Sequence, residues 1–254
     1  MRKTVAIIQA RVGSTRLPGK VLKEICGKPM LWYVIERVKR AKLINEIVVA
    51  TTTNAEDDEI VKIAEQCRVK TFRGSEDDVL DRYYRAAKEF KADVVVRITA
   101  DCPLIDPEIV DKTVEFFLKG DFDYVSNTVR PTFPDGLDVE VFSFDALKKA
   151  WENATKLSER EHVTPYIRKH PEKFKIGSFE AEHDLSHLRW TVDREEDLRF
   201  VREVYERIGK EIFHMQDVLE LLKEHPELAE INRGIKRNEG YEKSLREDRE
   251  IVKK

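Results

Sequence analysis

Near the amino terminus the chain reads Gln9-Ala10-Arg11-Val12-Gly13-Ser14-Thr15-Arg16-Leu17-Pro18-Gly19-Lys20, and this segment sets the expected architecture. It follows the apolar run Val5-Ala6-Ile7-Ile8, which is long enough for one buried strand. Beyond it, apolar residues recur at helical spacing from Pro29 onwards. The segment therefore connects a strand to a helix at the carboxyl end of the strand. In open α/β sheets, ligands bind at that edge.

The composition of this loop is suited to a polyphosphate. It carries three cations, Arg11, Arg16 and Lys20, together with two glycines and two hydroxyl side chains. Arginine and lysine form charge-assisted hydrogen bonds with phosphate oxygens, and glycines let backbone N–H groups approach an anion closely. The alternative interpretation is a basic surface loop with a Pro-Gly turn. The phosphate-binding interpretation assigns the nucleotide to a set of loop residues: Ala10, Arg11, Gly13, Ser14, Arg16 and Lys20.

The loop differs from two well-known phosphate motifs. The spacing from Gly13 to Gly19 is one residue too long for a Walker A motif, and Val21 stands where that motif needs Ser or Thr. The GxGxxG dinucleotide fingerprint is also absent from the segment. A different class of phosphate-binding protein is therefore expected.

Composition bounds the class of protein. The 254 residues are 41% apolar, which is enough for a substantial core, and no apolar run reaches the roughly 18 residues of a membrane span. The amino terminus lacks a signal-peptide pattern, so a cytoplasmic protein without membrane insertion is expected. With 46 basic and 49 acidic residues, the net charge is −3 and predicts no general field for nucleic acid. The three cysteines have no metal-binding spacing and indicate reduced thiols.

The first half of the chain alternates strands and helices. This alternation predicts an α/β fold, with a mostly parallel central sheet and helices on both faces. The expected strands are Val5–Ile8, Glu46–Thr51, Val69–Phe72 and Asp93–Thr99, and the expected helices are Pro29–Lys42, Asp57–Cys67 and Asp77–Phe90. A fourth helix is expected from the capping signal Asp106-Pro107-Glu108 to about Lys119.

The second half predicts a mixed α+β arrangement. The expected strands are Tyr124–Ser126, Val139–Phe144, Phe174–Phe179 and Leu188–Val192, and a helix is expected over Leu198–Ile208. The predicted organisation is an α/β domain over 1–213, whose part 124–213 is the acceptor or dimer region, and a charged helical extension over 214–254. From Asn232 the pattern predicts a peripheral tail.

Two strings of residues resemble one enzyme family. Arg16-Leu17-Pro18-Gly19-Lys20 resembles the signature of the cytidylyltransferases that activate sugar acids, the KDO and acylneuraminate group. The later string 159–167, Glu-Arg-Glu-His-Val-Thr-Pro-Tyr-Ile, is most similar to their relatives named for spore coat polysaccharide biosynthesis protein F. The resemblance implies a Rossmann-like fold of the nucleotide-diphospho-sugar transferase type and a homodimer. It also implies that Arg11 and Lys20 are catalytic residues.

A nucleoside triphosphate on the loop requires a metal ion, and two aspartates are candidates to hold it. Mg²⁺ takes oxygen ligands and is usually bound by one or two carboxylates plus phosphate. Asp101 follows the strand that ends at Thr99, and the string Ala100-Asp101-Cys102-Pro103-Leu104-Ile105 resembles the second motif of the family. The alternative for Asp101 is a turn-forming residue beside proline. Asp193 is the second candidate, and its alternative is a helix capping box with Glu196.

The base of the nucleotide is expected to contact the stretch that follows the third strand. In the family, the corresponding stretch reads the base and the ribose. Arg73 and Ser75 are candidate donors to cytosine, and Asp77 or Asp81 is a candidate acceptor for its exocyclic amine. The alternative is a helix cap formed by Ser75 with Asp78.

The acceptor pocket is expected near Asp138 and Glu140. Arg130, which precedes a proline-rich loop, is a candidate for binding the carboxylate of a sugar acid. Each of these features has a purely structural alternative.

These observations together predict a Mg²⁺-dependent cytidylyltransferase. It moves CMP from CTP to the hydroxyl of a sugar acid or a related acceptor and releases pyrophosphate, for surface polysaccharide or glycan synthesis. One alternative is a nucleotide-sugar-dependent glycosyltransferase, for which Asp121-Phe122-Asp123 is the candidate metal motif. The other is a nucleotide-binding module without catalysis.

Overall fold

A computed structural model describes residues 2–251 of the chain, with nine strands and ten α-helices in that range. The strands are β1 (Thr4–Gln9), β2 (Glu24–Ile25), β3 (Lys28–Pro29), β4 (Glu46–Thr52), β5 (Lys70–Gly74), β6 (Val94–Thr99), β7 (Tyr124–Ser126), β8 (Glu140–Ser143) and β9 (Ile176–Ser178). The helices are α1 (Met30–Val38), α2 (Asp58–Gln66), α3 (Val79–Glu89), α4 (Pro107–Lys119), α5 (Phe144–Asn153), α6 (Leu157–His162), α7 (Pro165–Lys169), α8 (Glu195–Ile208), α9 (Met215–Glu224) and α10 (Glu239–Ile251). None of the helices within 2–251 is long and apolar enough to cross a membrane.

Seven of the strands form one sheet in the order β5-β4-β1-β6-β8-β7-β9. The β5, β4, β1 and β6 strands are parallel, β8 is antiparallel to both of its neighbours, and β9 is parallel to β7. The strands β2 and β3 form a separate antiparallel hairpin. The predicted mostly parallel sheet is confirmed, and so is the mixed character of the second half.

Helices cover both faces of the sheet because its central strands are apolar on both sides. In β1, Ala6 and Ile8 belong to one buried cluster, whereas Val5 and Ile7 belong to the other. This alternation follows from the two-residue period of side chains along a strand. Both faces of β1 are therefore buried, and its carboxyl end is the edge at which polar side chains collect.

Most of the expected elements are confirmed, with small shifts at their ends. The predicted helix over Pro29–Lys42 is too long, because α1 ends at Val38. The N–H groups of Arg40 and Ala41 donate to carbonyls three residues earlier, which tightens the turn after the helix.

The predicted strand over Leu188–Val192 is wrong. Only an isolated bridge joins Asp135 to Arg189, and the segment crosses the backbone at Gly136. A Cβ atom at Gly136 would lie 2.4 Å from the backbone N of Thr191, and the φ of Gly136 is +112°. The N–H groups of Trp190 and Thr191 both donate to the carbonyl of Asp135, so this close approach replaces regular strand pairing.

The expectation of a peripheral tail from Asn232 is also wrong. Asn232 is only 4% exposed, and its amide donates to the carbonyl of Arg189 and to the carboxylate of Asp197. Further along, α10 packs against α6, and the backbone N–H of Ser158 donates to Asp248. The polar residues after Asn232 therefore bind other parts of the protein.

Candidate active site

A cavity of about 750 Å³ opens at the carboxyl ends of β1 and β6. Its volume lies in the range of small-molecule sites. Residues after β1, such as Ala10, and residues after β6, such as Ala100, border it on the side of the sheet. The location agrees with the rule that ligands bind at the carboxyl edge of a parallel sheet.

The loop after β1 is held in a fixed shape by its own backbone. The N–H of Gly19 donates to the carbonyl of Val12 at 3.1 Å, and Gly19 has a φ of +65° that favours glycine. The N–H of Val12 donates to Asp57 at 2.7 Å. Asp57 is buried and also accepts from Thr52, so this carboxylate fixes the loop against β4.

The structure brings most of the predicted loop residues to the cavity. Ala10, Arg11, Ser14, Arg16 and Lys20 line it. Gly13 lies behind this wall, where an added Cβ would be 3.3 Å from a carboxylate oxygen of Glu56. Arg11 faces Glu76 at 3.6 Å across the rim.

Lys20 joins the two aspartates that were predicted to bind metal. Its Nζ donates to Asp101 at 2.7 Å, to Asp193 at 2.8 Å and to the carbonyl of Val192 at 2.9 Å. Asp101 and Asp193 lie 81 and 173 positions after Lys20 in the sequence, yet both meet at its ammonium group. Burial disfavours the charge of Lys20, but the two carboxylates outweigh this effect and raise its pKa.

Asp193 is surrounded by cations. Besides Lys20, it accepts from Arg16 at 2.6 Å and from Arg189 at 3.1 Å. Burial would raise the pKa of Asp193, but Lys20 and Arg16 hold it well below its usual range. Asp193 is thus an ionised carboxylate beside the phosphate loop.

The alternative that Asp193 forms a helix capping box with Glu196 is wrong. The N-terminal turn of α8 is closed by Asp197, which accepts from the N–H groups of Asp193 and Arg194. Glu196 is not the partner. Because Asp197 provides the cap, both oxygens of Asp193 face the cations named above.

Within the part of the chain that the structure describes, no group of three or more His, Cys, Asp or Glu side chains is arranged to hold a metal ion. Asp101 and Asp193 form a pair rather than such a group. Their oxygens face a common point, because each lies within 2.8 Å of the Lys20 nitrogen. Two convergent carboxylates match the donor set of Mg²⁺ when phosphate oxygens complete the coordination.

The four candidate base-reading residues are held elsewhere, and none of them lines the cavity. The Arg73 guanidinium donates to the carbonyls of Thr52 and Asn54, and it pairs with Asp58 at 2.6 Å. The hydroxyl of Ser75 accepts from the N–H of Asp78, as in the capping alternative.

Asp81 also has partners within the protein. It accepts from the indole N–H of Trp151 at 2.8 Å and pairs with Arg85. Asp77 is exposed at the start of α3. A role in base recognition for these four residues is not supported by their placement. The polar atoms of Arg73, Ser75 and Asp81 bind other parts of the protein, and Asp77 does not line the cavity.

Arg82 is a cavity residue that the sequence analysis missed. It is 2% exposed and lines the cavity, and its Nε has no hydrogen-bond partner among the described residues. One of its terminal nitrogens donates to the carbonyl of Ser75 at 2.7 Å. Burial lowers the pKa of Arg82, and the neighbouring Arg11 lowers it further. Two adjacent guanidinium groups favour an anion between them.

The three acceptor candidates have different surroundings. Arg130 has a side chain that is 79% exposed, faces Glu180 at 3.6 Å and does not line the cavity. Asp138 lines the cavity and accepts from Arg237 at 2.6 Å. Burial and the nearby Glu140 raise the pKa of Asp138, while Arg237 opposes the change. The placement of Arg130 therefore does not support contact with an acceptor.

Glu140 borders the cavity, but its carboxylate is bound by several side chains of the protein. It accepts from Arg97 at 2.5 Å, from Tyr124 at 2.8 Å and from Thr164 at 2.8 Å. Burial works against its charge, but Arg97 and these hydrogen bonds lower its pKa overall. Its oxygens already have partners within the protein.

The string that resembles the spore coat branch forms another wall of the cavity. Between α6 and α7, Val163 has φ 71° and ψ −56°, and the N–H of Thr164 donates to the carbonyl of His162 at 2.8 Å. This is the γ-turn form that is rare and strained, here at a β-branched residue that is fully buried. The turn places Glu161, His162 and Thr164 along the cavity.

The segment after Asn232 completes the enclosure. At Gly240, near the start of α10, an added Cβ atom would lie within 4.0 Å of both the Arg16 guanidinium and the His162 ring. Arg194 pairs with Glu239 through two hydrogen bonds. This contribution of α10 could not be predicted, because the residue pattern of a strongly charged helix is the same whether the helix faces solvent or a polar cavity.

Comparison with known proteins identifies the family. The family model for cytidylyltransferases matches residues 5–238, which is most of the chain.

The chain belongs to the cytidylyltransferase family.

The prediction that it is an enzyme of this class is confirmed. The family match spans the phosphate loop, Asp101, Asp193 and the γ-turn wall, and it ends at the residue before α10. In this cytidylyltransferase, α10 therefore adds to the cavity from outside the matched region.

Relatives of similar length support the assignment. An uncharacterised protein of Methanocaldococcus jannaschii is 41% identical over 249 residues, which are 96% of this chain and 98% of that protein. The spore coat polysaccharide biosynthesis protein SpsF of Bacillus subtilis is 31% identical over 239 residues, which are 90% of this cytidylyltransferase and 98% of SpsF. The predicted likeness to the spore coat branch is confirmed.

Solved structures agree on the fold. A cytidylyltransferase from Leptospira borgpetersenii has a TM-score of 0.89 at 36% identity, covering 93% of this chain and all of that one. A CMP-2-keto-3-deoxy-manno-octonic acid synthetase complexed with CTP has a TM-score of 0.63 at 20% identity, covering 81% of this chain and 99% of the other. The second likeness shows that the two cytidylyltransferase sheets have the same fold.

Proposed function

We propose that this cytidylyltransferase moves CMP from CTP to a hydroxyl of a sugar acid or related acceptor and releases pyrophosphate. The observation that carries the proposal is the junction of Lys20 with Asp101 and Asp193 at the carboxyl edge of the sheet. It places an ammonium group and two carboxylates beside the arginines of the phosphate loop. The relative named for spore coat polysaccharide synthesis supports a role in surface polysaccharide or glycan synthesis in the cytoplasm.

The cations of the loop bind the part of CTP that leaves. The acceptor oxygen attacks the α-phosphorus in line, and the bond from that phosphorus to the β-phosphate oxygen breaks. Arg11, Arg16 and Lys20 hold the β- and γ-phosphates, where negative charge grows as pyrophosphate departs. Preorganised cations stabilise this charge more in the transition state than in the ground state.

Asp101 and Asp193 would hold Mg²⁺. When bound, the ion supplies charge stabilisation at the phosphate oxygens. In the described structure, Lys20 bridges these two carboxylates and Arg16 donates to Asp193. To contact a phosphate oxygen, the Lys20 ammonium and the Arg16 guanidinium would exchange a carboxylate partner for the phosphate.

The two alternatives are less well supported. Asp121 pairs with Lys175, and Asp123 accepts from the backbone N–H of Lys175, so this Asp-x-Asp string fastens β9 instead of facing the cavity. That placement argues against a glycosyltransferase metal motif. A binding module without catalysis would not need both Asp101 and Asp193 beside the phosphate loop.

Calorimetry with CTP, UTP, GTP and ATP, each with Mg²⁺, tests the nucleotide. A clear preference for CTP that weakens in Lys20→Ala supports the proposal, and a screen of sugar acids for pyrophosphate release then identifies the acceptor. Equal binding of all four nucleotides would contradict it. A homodimer remains a prediction for this chain, and light scattering at several concentrations tests it.

A further inference from the structure

One cation in the cavity has no role in the phosphate site. Arg168, on α7, lines the cavity, and its Nε is buried without a hydrogen-bond partner among the described residues. The ring of Tyr241 from α10 lies over it, with 5.8 Å between the guanidinium carbon and the ring centroid. Arg168 therefore lies between the γ-turn wall and the carboxyl-terminal helix.

The buried carboxylate of Glu140 accepts its hydrogen bonds from other groups, namely Arg97, Tyr124 and Thr164. The charge of Arg168 helps to lower the pKa of Glu140. Glu161, on the same wall, accepts from the hydroxyl of Ser244. Among the described residues, neither carboxylate accepts from the Nε of Arg168.

A buried guanidinium N–H without an acceptor is costly. A buried donor without a partner loses its hydrogen bonds to water and gains none in return, and the loss is greater for a charged group. Arginine presents its donors in a planar fork that matches the oxygens of carboxylates and phosphates. The Nε–H of Arg168 is therefore a buried donor that an anionic group of a ligand in the cavity can satisfy.

We propose that Arg168 binds an anionic group of the acceptor, a carboxylate or a phosphate, and so selects charged acceptors over neutral ones. This proposal rests on the proposed function, because it concerns the second substrate of the same cavity. The Tyr241 ring lies within cation–π distance of the guanidinium group. Part of the acceptor site is then built by α10, which lies outside the matched family region.

The assignment replaces Arg130 as the residue expected to bind the acid. Arg130 projects into solvent, where a salt bridge contributes little, whereas Arg168 lines the cavity. A desolvated guanidinium distinguishes an acid from its neutral analogue more strongly, because the neutral ligand leaves the donors unpaired.

The test compares charged probes with neutral ones on the full chain in the presence of CTP and Mg²⁺. The probes are 3-deoxy-manno-octulosonate, N-acetylneuraminate and mannose 6-phosphate, and the neutral counterparts are the two carboxamides and mannose. Binding is measured by saturation-transfer NMR, and KM and kcat are measured where pyrophosphate is released. The variants are Arg168→Gln, Arg168→Lys and, as a control, Lys169→Gln, an exposed cation of the same helix that also lies over Tyr241.

We expect at least one charged probe to bind the wild-type protein more tightly than its neutral counterpart, by about tenfold or more. Arg168→Gln should abolish this preference without weakening the neutral probe or CTP, Arg168→Lys should restore part of it, and Lys169→Gln should keep it. A wild-type protein without charge preference, or a preference that survives in Arg168→Gln, would overturn the proposal. If neither substitution folds, a wild-type protein without charge preference still overturns the proposal.

The same experiment separates this proposal from the proposed function. Loss of the charge preference with intact CTP binding concerns Arg168 only. Failure to bind CTP, or to release pyrophosphate while charged probes still bind through Arg168, contradicts the cytidylyl transfer and leaves the anion site in place.

Discussion

Replacing Lys20 with methionine should separate the catalytic role of its ammonium group from its structural role. The substitution keeps an unbranched side chain and removes a cation that donates to Asp101, Asp193 and the carbonyl of Val192. A buried ion pair broken on one side costs about 3–5 kcal/mol. Two features reduce this value: the Asp101 side chain is 25% exposed and can be hydrated, and Asp193 keeps Arg16 and Arg189.

We therefore expect Lys20→Met to lower the free energy of unfolding by about 1–3 kcal/mol, within the range of one charged hydrogen bond. The loss of activity should be much larger. Removing one preorganised donor at a developing negative charge lowers kcat by about 100- to 1,000-fold. Urea unfolding followed by tryptophan fluorescence gives the first quantity, and pyrophosphate release gives the second.

The matched control is Lys62→Met, since Lys62 pairs with Glu59 on the surface of α2. Both side chains of this pair are exposed to water, so neither stability nor turnover should change markedly. Turnover of Lys20→Met within about threefold of the wild type would refute the reasoning, because a cation on the departing phosphates cannot be dispensable. A fall in activity that only follows unfolding would refute it as well.

Three further predictions concern the metal pair, the backbone crossing and the carboxyl-terminal helix. Asp101→Asn should lower Mg²⁺-dependent turnover by about 100-fold or more while the urea midpoint changes little, since several kcal/mol of charge stabilisation depend on the ion. Gly136→Ala should lower the free energy of unfolding in urea by about 1–3 kcal/mol or more, because alanine is strained at a φ of +112° and contacts Thr191. Burial lowers the pKa of His162 to about 4, so the imidazole is neutral in the folded protein and acid should release α10 by protonating it. The docking of α10 on the cavity should be complete above pH 6.5 and should weaken as the pH falls towards 4. Hydrogen exchange of the α10 amides measures this change.

Each of these has an outcome that counts against it. Near-normal turnover of Asp101→Asn with Mg²⁺ would remove this residue from the metal site. An unchanged urea midpoint for Gly136→Ala would mean that the crossing can relax. For His162, the reference is His162→Gln. The protection factors of its α10 amides, corrected for the intrinsic pH dependence of amide exchange, should not depend on pH between 4 and 6.5. Equal pH dependence of the protection factors in both proteins would assign the effect to other groups.

The sequence was sufficient to predict the sheet and the residues at its carboxyl edge. Val5–Ile8 and Val94–Val96 are continuous apolar runs, which is the pattern of strands buried on both faces. Residues that follow such strands meet at one edge, so the convergence of Lys20 and Asp101 could be anticipated from topology alone. Asp193 reaches the same edge although its expected strand does not exist.

The rest of the site could not be read from local patterns. Asp57 and Arg82 stand at helix starts or on helix faces, where an acid or a base usually faces solvent. Arg82 instead points inward, and its burial depends on the packing of α3 against β5. The charged pattern of α10 predicts an exposed helix, because periodicity does not distinguish water from a polar cavity.

The γ-turn at Val163 has a consequence for how tolerance to mutation is measured. Its backbone strain costs about 1–3 kcal/mol, whereas burying a valine side chain contributes about 1.5–3 kcal/mol. Glycine at position 163 relieves the strain, which offsets part of the cost of losing a fully buried side chain. The turn also loses the side chain that anchors it beside His162 and Thr164. A mutational scan scored by protein abundance would therefore understate the effect of Val163→Gly, a substitution that loosens a wall of the active site.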